Sequence, residues 1–385
     1  MTLPDFDRLK AMWEDPEFTE VAQWQSRHPG APVVGYLPAY APRELVYAAG
    51  GLAVGLWGAG PQVEIIRGDI YYQSYICRLP RSVLETAPAL GGFSGVIFSS
   101  ICDVMRNLSG MWQILFPHQW AAYLDLPQNF SPETGGRFFH ETLIDLATRI
   151  LGHPPDGAYS QRLAQAISLT NRQTDLFRRL AGLRSRFPWK VPVDEWYTLL
   201  RSALVLHPED HVPQLAAYLA LAENRESRPL DHIRVHLAGA FCEQPTIGLL
   251  KAIEASGCYI VSHDLLLGLH WFTAPLKETG DPFQSLVDGY LNRSGPAPFK
   301  YCVPREKAET FLALVREHRA DGVIFAAPSF CDPSLLDRAM LREALETQGI
   351  PSASFKYAEN TCQYSGIAEV AGTFSDSIRL WPKES

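Results

Sequence analysis

Apolar positions recur along the chain with two different periods, and the dominant period changes twice. Residues 5–28 carry Phe6, Leu9, Met12 and Trp13 at helical spacing, which predicts an amphipathic helix. The segment APVVGYLPA (31–39) predicts a buried strand. It runs into a helix over 42–51, with a proline near its start and glycines at its end. GLAVGLWG (51–58) predicts a second short strand and 73–87 a helix. GVIFSS (95–100) predicts a strong strand and YLDLP (123–127) a weaker one. Strands alternating with helices point to a parallel, doubly wound sheet.

Between about 135 and 226, β-branched runs become few. The segments ETLIDLATRILG, AYSQRLAQAISLTNRQTDLFRRLAGLR, VDEWYTLLRSALVL and HVPQLAAYLALAENR read as helices. From about 231 the alternation returns. IRVHLAGAF (233–241) predicts a strand, followed by a helix from Pro245. CYIVSHD (258–264) predicts a strand, 306–320 a helix, GVIFAAP (322–328) a strand and 335–349 a helix. SASFKY (352–357) closes the set. The expected fold class is α/β: two doubly wound parallel-sheet lobes with a helical connecting block and an N-terminal helix. The expected limits are 1–30 for the N-terminal segment, 31–134 for the first lobe, 135–230 for the helical block and 231–385 for the second lobe.

Composition narrows the function. With 385 residues, 46% hydrophobic and 20% charged, the chain can bury large cores and is not mainly disordered. Seven cysteines are too sparse, and odd in number, for a disulfide scaffold. A net charge of −8 argues against a general binder of nucleic acid or anionic membranes, while leaving room for a local basic pocket. The first residues scatter acids where a signal peptide needs an apolar core. Leu45 to Val63 is uncharged, but its glycines and Pro61 read as helix end, turn and strand rather than a membrane span. The expected location is cytoplasmic and reducing, where cysteines are free thiols or ligands.

No GxxxxGK[ST], GxGxxG or GxSxG motif occurs, and LAVGLWGAG lacks the dinucleotide fingerprint. His207 with His211, and His232 with His236, have H-x₃-H spacing but no accompanying C-x₂₋₄-C pair, which disfavours a zinc site.

One internal echo stands out. GVIFSSICD (95–103) and GVIFAAPSFCD (322–332) each run from strand through small residues to Cys-Asp and a helix. Cys102 and Cys331 should therefore lie at the carboxyl ends of strands, where doubly wound sheets form their sites. A following helix N-terminus favours thiolate there. Cys77 also stands near a helix start, beside Arg78 and Arg81, with Arg106 close to Cys102. The separations match no compact zinc or ferredoxin signature, and a buried free cysteine is ordinarily a small hydrophobe, so the residues alone leave both readings open. Cys242 and Cys258 fall near strand ends as well, the former either a buried small residue or a neighbour or alternative ligand of the site. Cys302 and Cys362 receive no role. Asp103 and Asp332 are expected to cap the next helix or to hydrogen-bond toward the site. Trp112, Phe116 and Trp120 read as core, with an aromatic pocket as the alternative.

GYLPAYAPRELVYAAGGLAVGLWG, YQSYICRLPRS, FSSICDVMRNLSGMWQILFP, AGAFCEQP, SGCYIV, GVIFAAPSFCDP and SFKYAEN together resemble the 2-hydroxyacyl-CoA dehydratase superfamily over nearly the whole chain. Within it they look most like the smaller (gamma, or C) catalytic-module subunits of the ATP-dependent benzoyl-CoA reductase branch. The resemblance implies one [4Fe–4S] cluster per subunit, held by three cysteines in the cleft between the lobes. By motif match these are Cys77, Cys102 and Cys331. Three thiolates leave one iron open to a small ligand. The partners implied are a larger homologous subunit, a ferredoxin-linked ATPase module and an aromatic acyl-CoA substrate, without nucleic acid or membrane. The activity implied is low-potential electron transfer to the aromatic thioester, giving a cyclic dienoyl-CoA. The alternative is a component of a 2-hydroxyacyl-CoA dehydratase, which forms a ketyl radical and expels water. A reading of another class, a metal-free two-lobed binding protein, predicts a colourless preparation.

Overall fold

A computed structural model of the chain describes residues 3–380, apart from Pro38, Trp57, Ala59, His270, Trp271 and Pro296. Eight strands form two parallel four-stranded sheets. The first holds β1 (Val33–Tyr36), β2 (Leu52–Gly55), β3 (Gly95–Ser99) and β4 (Trp120–Leu124), in the order β2-β1-β3-β4. The second holds β5 (Ile233–Ala238), β6 (Cys258–His263), β7 (Gly322–Pro328) and β8 (Ser352–Tyr357), in the order β6-β5-β7-β8. The two orders are the same. In each, the winding reverses between the first and third strands, so a crevice opens beyond the carboxyl ends of β1 and β3 and again beyond β5 and β7. The alternating pattern therefore produces the expected α/β fold of two lobes. The inner strands are buried on both faces, as their continuous apolar runs require.

The middle of the chain is helical, as its periodicity predicts. The helices are Arg137–Leu151, Gly157–Arg186, Val193–Ser202 and Pro208–Glu223. The longest starts at Asp156, whose carboxylate accepts from the Tyr159 amide at 2.7 Å. It ties both lobes together. The Tyr159 hydroxyl donates to Leu45 O at 2.8 Å and the Arg162 guanidinium to Ala48 O at 2.8 Å, both in the first lobe. Further along, Arg184 pairs with Glu254 of the second lobe. One apolar core runs without a break from Val33 and Val34 through Phe177 and Leu180 to Val235 and Leu237.

Several expected elements differ in detail. The helix expected over 5–28 is two, Phe6–Glu14 and Thr19–Arg27. Pro16 interrupts the ladder, Asp15 turns its carboxylate to the Glu17 and Thr19 amides (2.9 and 2.7 Å), and Phe18 takes a left-handed φ of 53°. The helix expected over 73–87 begins only at Arg78, and a separate short helix, Arg67–Tyr71, precedes it. Helices Pro282–Asn292 and Ser365–Leu380 add to the predicted set. Among the described residues no helix is long and apolar enough to cross a membrane.

Candidate metal centre

Three cysteines end up in one structural role. Cys77 is the N-cap of helix Arg78–Thr86, Cys102 of helix Asp103–Leu115 and Cys331 of helix Asp332–Thr347. Cys102 and Cys331 are each the third residue beyond their strand, so the sequence echo is a structural one. Asp103 and Asp332 are consequently first-turn residues, one place beyond the N-cap position that the cysteine before each occupies. The expectation that these aspartates cap is corrected on that ground.

All three cysteines line a single cavity of about 430 Å³ at the carboxyl ends of the strands. Cys242, which follows β5, lines it too, with Glu243 and Pro298. Phe330 and Leu336 stand at its mouth, both exposed, and Phe330 holds a left-handed φ of 64°. Cys258, by contrast, opens β6 at the opposite end of the sheet and donates to Ala371 O at 3.8 Å. Cys302 and Cys362 are not among the cavity residues.

Burial governs the chemistry of these thiols. It pushes the Cys331 thiol up to about 11, even though the Ser334 hydroxyl (Oγ 3.3 Å from Sγ) and amide work the other way. It also raises Cys77, aided by Glu243 and by the charges of Cys331 and Cys102, while Arg81 opposes. Cys102 is raised despite the Val104 and Met105 amides, and Cys242 is raised strongly. The expected lowering by helix termini and arginines is thus present but outweighed by desolvation. Of the three arginines, Arg78 pairs with Glu359 at 3.4 Å, Arg81 with Asp69 at 2.9 Å, and Arg106 lies 4.9 Å over the Tyr123 ring. In the metal-free chain these cysteines are neutral thiols at physiological pH, and bound metal would have to displace their protons.

Among the described residues, no three His, Cys, Asp or Glu side chains stand close enough to hold one metal ion. In a cubane each thiolate would meet a different iron, so its three sulfurs stand several ångströms apart, one at each of three corners. Cys77, Cys102 and Cys331 bring thiols from both lobes to one cavity, the donor type that iron–sulfur groups take.

The remaining candidates are structural. Trp112 is core, its indole donating to Gln119 Oε1 at 3.0 Å and packing on Phe98 and Phe116. Buried His211 bridges Gln173 Nε2 (2.9 Å) and Ser202 Oγ (3.1 Å), and His236 bonds Ser262 Oγ at 2.8 Å. Sequence reasoning assigns no role to two carboxylates beside the cavity, Glu243 and Glu359. Both lie in segments that carry the family resemblance, CEQP and YAEN, but their signal appears only in three dimensions.

A family model described as 2-hydroxyglutaryl-CoA dehydratase, D-component, matches residues 38–369. The chain belongs to this family. It is similar to the C subunit of benzoyl-CoA reductase from Thauera aromatica, with 43% identity covering 97% of this chain and 98% of that one. It is more distantly similar, at 23% identity, to the (R)-phenyllactyl-CoA dehydratase beta subunit of Clostridium sporogenes, covering 91% of this chain and 92% of that one. The same identity relates it to the beta subunit of (R)-2-hydroxyglutaryl-CoA dehydratase from Acidaminococcus fermentans, covering 94% and 95%. The resemblance read from the sequence motifs is borne out, both for the superfamily and for the reductase branch within it.

Proposed function

We propose that this chain is the iron–sulfur subunit of an ATP-dependent aromatic acyl-CoA reductase, with benzoyl-CoA or a close analogue as substrate. The observation that carries the reading is the convergence of Cys77, Cys102 and Cys331 on one cavity in a chain 43% identical to a benzoyl-CoA reductase subunit. These three thiols would hold a [4Fe–4S] cluster with one iron left open. The cluster, when bound, supplies single low-potential electrons, within a range for such clusters of roughly −700 to +450 mV. Net reaction adds two electrons and two protons to the ring and leaves a cyclic dienoyl-CoA.

The chain's own residues fix the setting. The first-turn amides of Val104 and Met105 behind Cys102, and of Ser334 behind Cys331, favour the charged form of those sulfurs. Leu79, Ile101, Val104, Met105 and Pro298 give the cavity apolar walls, with Asp103, Asp332 and Glu243 set among them. A larger homologous subunit and a ferredoxin-linked ATPase module are the expected partners. The relatives are all named as single subunits of their enzymes, which fits a multi-component assembly.

A second reading, a 2-hydroxyacyl-CoA dehydratase component, draws on the family model and the 23% relatives. The reductase reading is favoured by the much higher identity of the reductase relative. Anaerobic purification of the co-expressed complex, with iron analysis and an assay on benzoyl-CoA, separates the two. The reductase consumes benzoyl-CoA with stoichiometric ATP use and is brown, with about four irons per chain. ATP needed only in catalytic amounts, with a 2-hydroxyacyl-CoA dehydrated, favours the dehydratase. A colourless, iron-free preparation overturns both.

A further inference from the structure

Two buried carboxylates join the lobes beside the cysteine cavity. Glu359 follows β8 of the second lobe, yet its Oε1 accepts from the Ser82 hydroxyl of the first and lies 3.4 Å from Arg78 Nε. Gly58, also of the first lobe, packs so close that a Cβ there would stand 2.6 Å from Glu359 Oε2. Arg78 and Ser82 belong to the helix that Cys77 caps. Glu243 stands close by: it follows β5 and lines the cavity, and the Leu79 amide of that same helix helps to hold its carboxyl group in the charged form. The two acids are themselves linked, Glu243 Oε1 accepting from the Glu359 amide at 2.7 Å, while the Tyr357 hydroxyl donates to Glu243 O.

Such an arrangement is costly. Burial pushes both carboxyl groups above the usual carboxylate range; the charge of Glu359 adds to the rise at Glu243, and Arg78 opposes it at both. Apolar side chains of similar size would fill the same space with less desolvation. What charge and hydrogen bonds add is a fixed length and direction. Here they fix where the N-terminus of helix Arg78–Thr86 stands relative to β5 and β8, and Cys77 sits at that N-terminus, facing Cys331 across the crevice.

We propose that Glu359, acting with Glu243, is a positioning residue: a carboxylate latch that sets the width of the crevice and so the separation of Cys77 from Cys331. This rests on the proposed function only for its purpose; the latch itself is a property of the metal-free chain. Neither acid is assigned a part in the chemistry.

The test uses the metal-free full-length chain and the fluorogenic dithiol cross-linker dibromobimane, with the joined peptides identified by mass spectrometry. The wild-type chain should yield a Cys77–Cys331 product. Glu359→Gln, which keeps the shape but removes the charge, should lower that yield several-fold at temperatures well below its melting point. Ser82→Ala removes one contact and should fall between the two, which keeps the proposal testable should Glu359→Gln fail to fold. In the iron-loaded complex, Glu359→Gln should broaden or shift the cluster's EPR signal, whereas a merely destabilising change would lower occupancy and leave the line shape alone. No Cys77–Cys331 product in the wild type, or equal yields in wild type and both variants, would overturn the latch. A latch confirmed in a chain that binds no iron would overturn the proposed function instead.

Discussion

At the scale of single residues, the decisive fact is that cysteine occupies the N-cap of three helices, where serine, threonine, aspartate or asparagine ordinarily stands. None of the three thiols caps its own helix through a side-chain bond, so local helix stability does not explain the choice. Cys77→Ala, Cys102→Ala and Cys331→Ala should each abolish the cluster's EPR signal in anaerobically purified complex, while Cys302→Ala should leave it intact. An unchanged spectrum for any of the first three removes that residue from the ligand set. A second prediction concerns His211. Burial, reinforced by Arg43, pushes it down to about 3. The unfolded chain takes up this proton near pH 6.5 and the folded chain resists it, so the unfolded state binds more protons between those values. Stability therefore falls as pH drops through that window, by up to about 1.4 kcal/mol per pH unit from this group. Urea melts from pH 7 to pH 4 should show that slope, and His211→Gln should flatten it.

At the scale of elements, the strands of the second lobe are more legible than helix ends, whereas β4 (Trp120–Leu124) begins three residues before the expected 123–127. The limits of β7 and β8 are those read from GVIFAAP and SASFKY: the first holds a Val-Ile-Phe run, and the second sets Phe355 and Tyr357 at alternate positions, the period of a strand. The break in the N-terminal helix is hidden because Phe6 to Trp24 keeps helical spacing across Pro16. Helix Ser365–Leu380 is readable, since its buried Ile367, Ala371 and Phe374 recur every three to four residues. Helix Pro282–Asn292 opens with Asp-Pro, a cap and first-turn signal, and the Asp281 carboxylate does accept from the Phe283 amide at 3.0 Å. Of the site, Cys102 and Cys331 can be found from the internal echo, whereas Cys77 needs the family resemblance. The latch cannot be read at all, because its bonds join residues 116 and 277 positions apart. A prediction belongs to this scale too. Gly95 begins β3 against Trp120, and a Cβ there would lie 2.1 Å from the indole. Gly95→Ala should cost about 1–3 kcal/mol in denaturant melts; a wild-type melt would mean that β4 yields freely.

At the scale of the whole molecule, two lobes of identical strand order face one crevice, closed behind by an unbroken apolar core and at the side by the carboxylate bonds. A group held by thiols from both lobes binds the folded state alone, so it must raise stability by mass action. The iron-loaded chain should melt at a higher temperature than the iron-free chain, and the triple Cys→Ala variant should show no such difference. Equal melting temperatures in the wild type would place the metal outside the crevice.

The unbroken core has a consequence for maturation. Because the same apolar cluster runs through both lobes and the long helix between them, the halves do not swing apart like a clamshell to admit their cargo. On the proposed function, folding would come first and metallation second, with iron and sulfide entering through the opening beside Phe330 and Leu336. Denatured chain diluted into chelator should regain its full far-ultraviolet dichroism and its sigmoidal melt, and remain competent to be charged with metal afterwards.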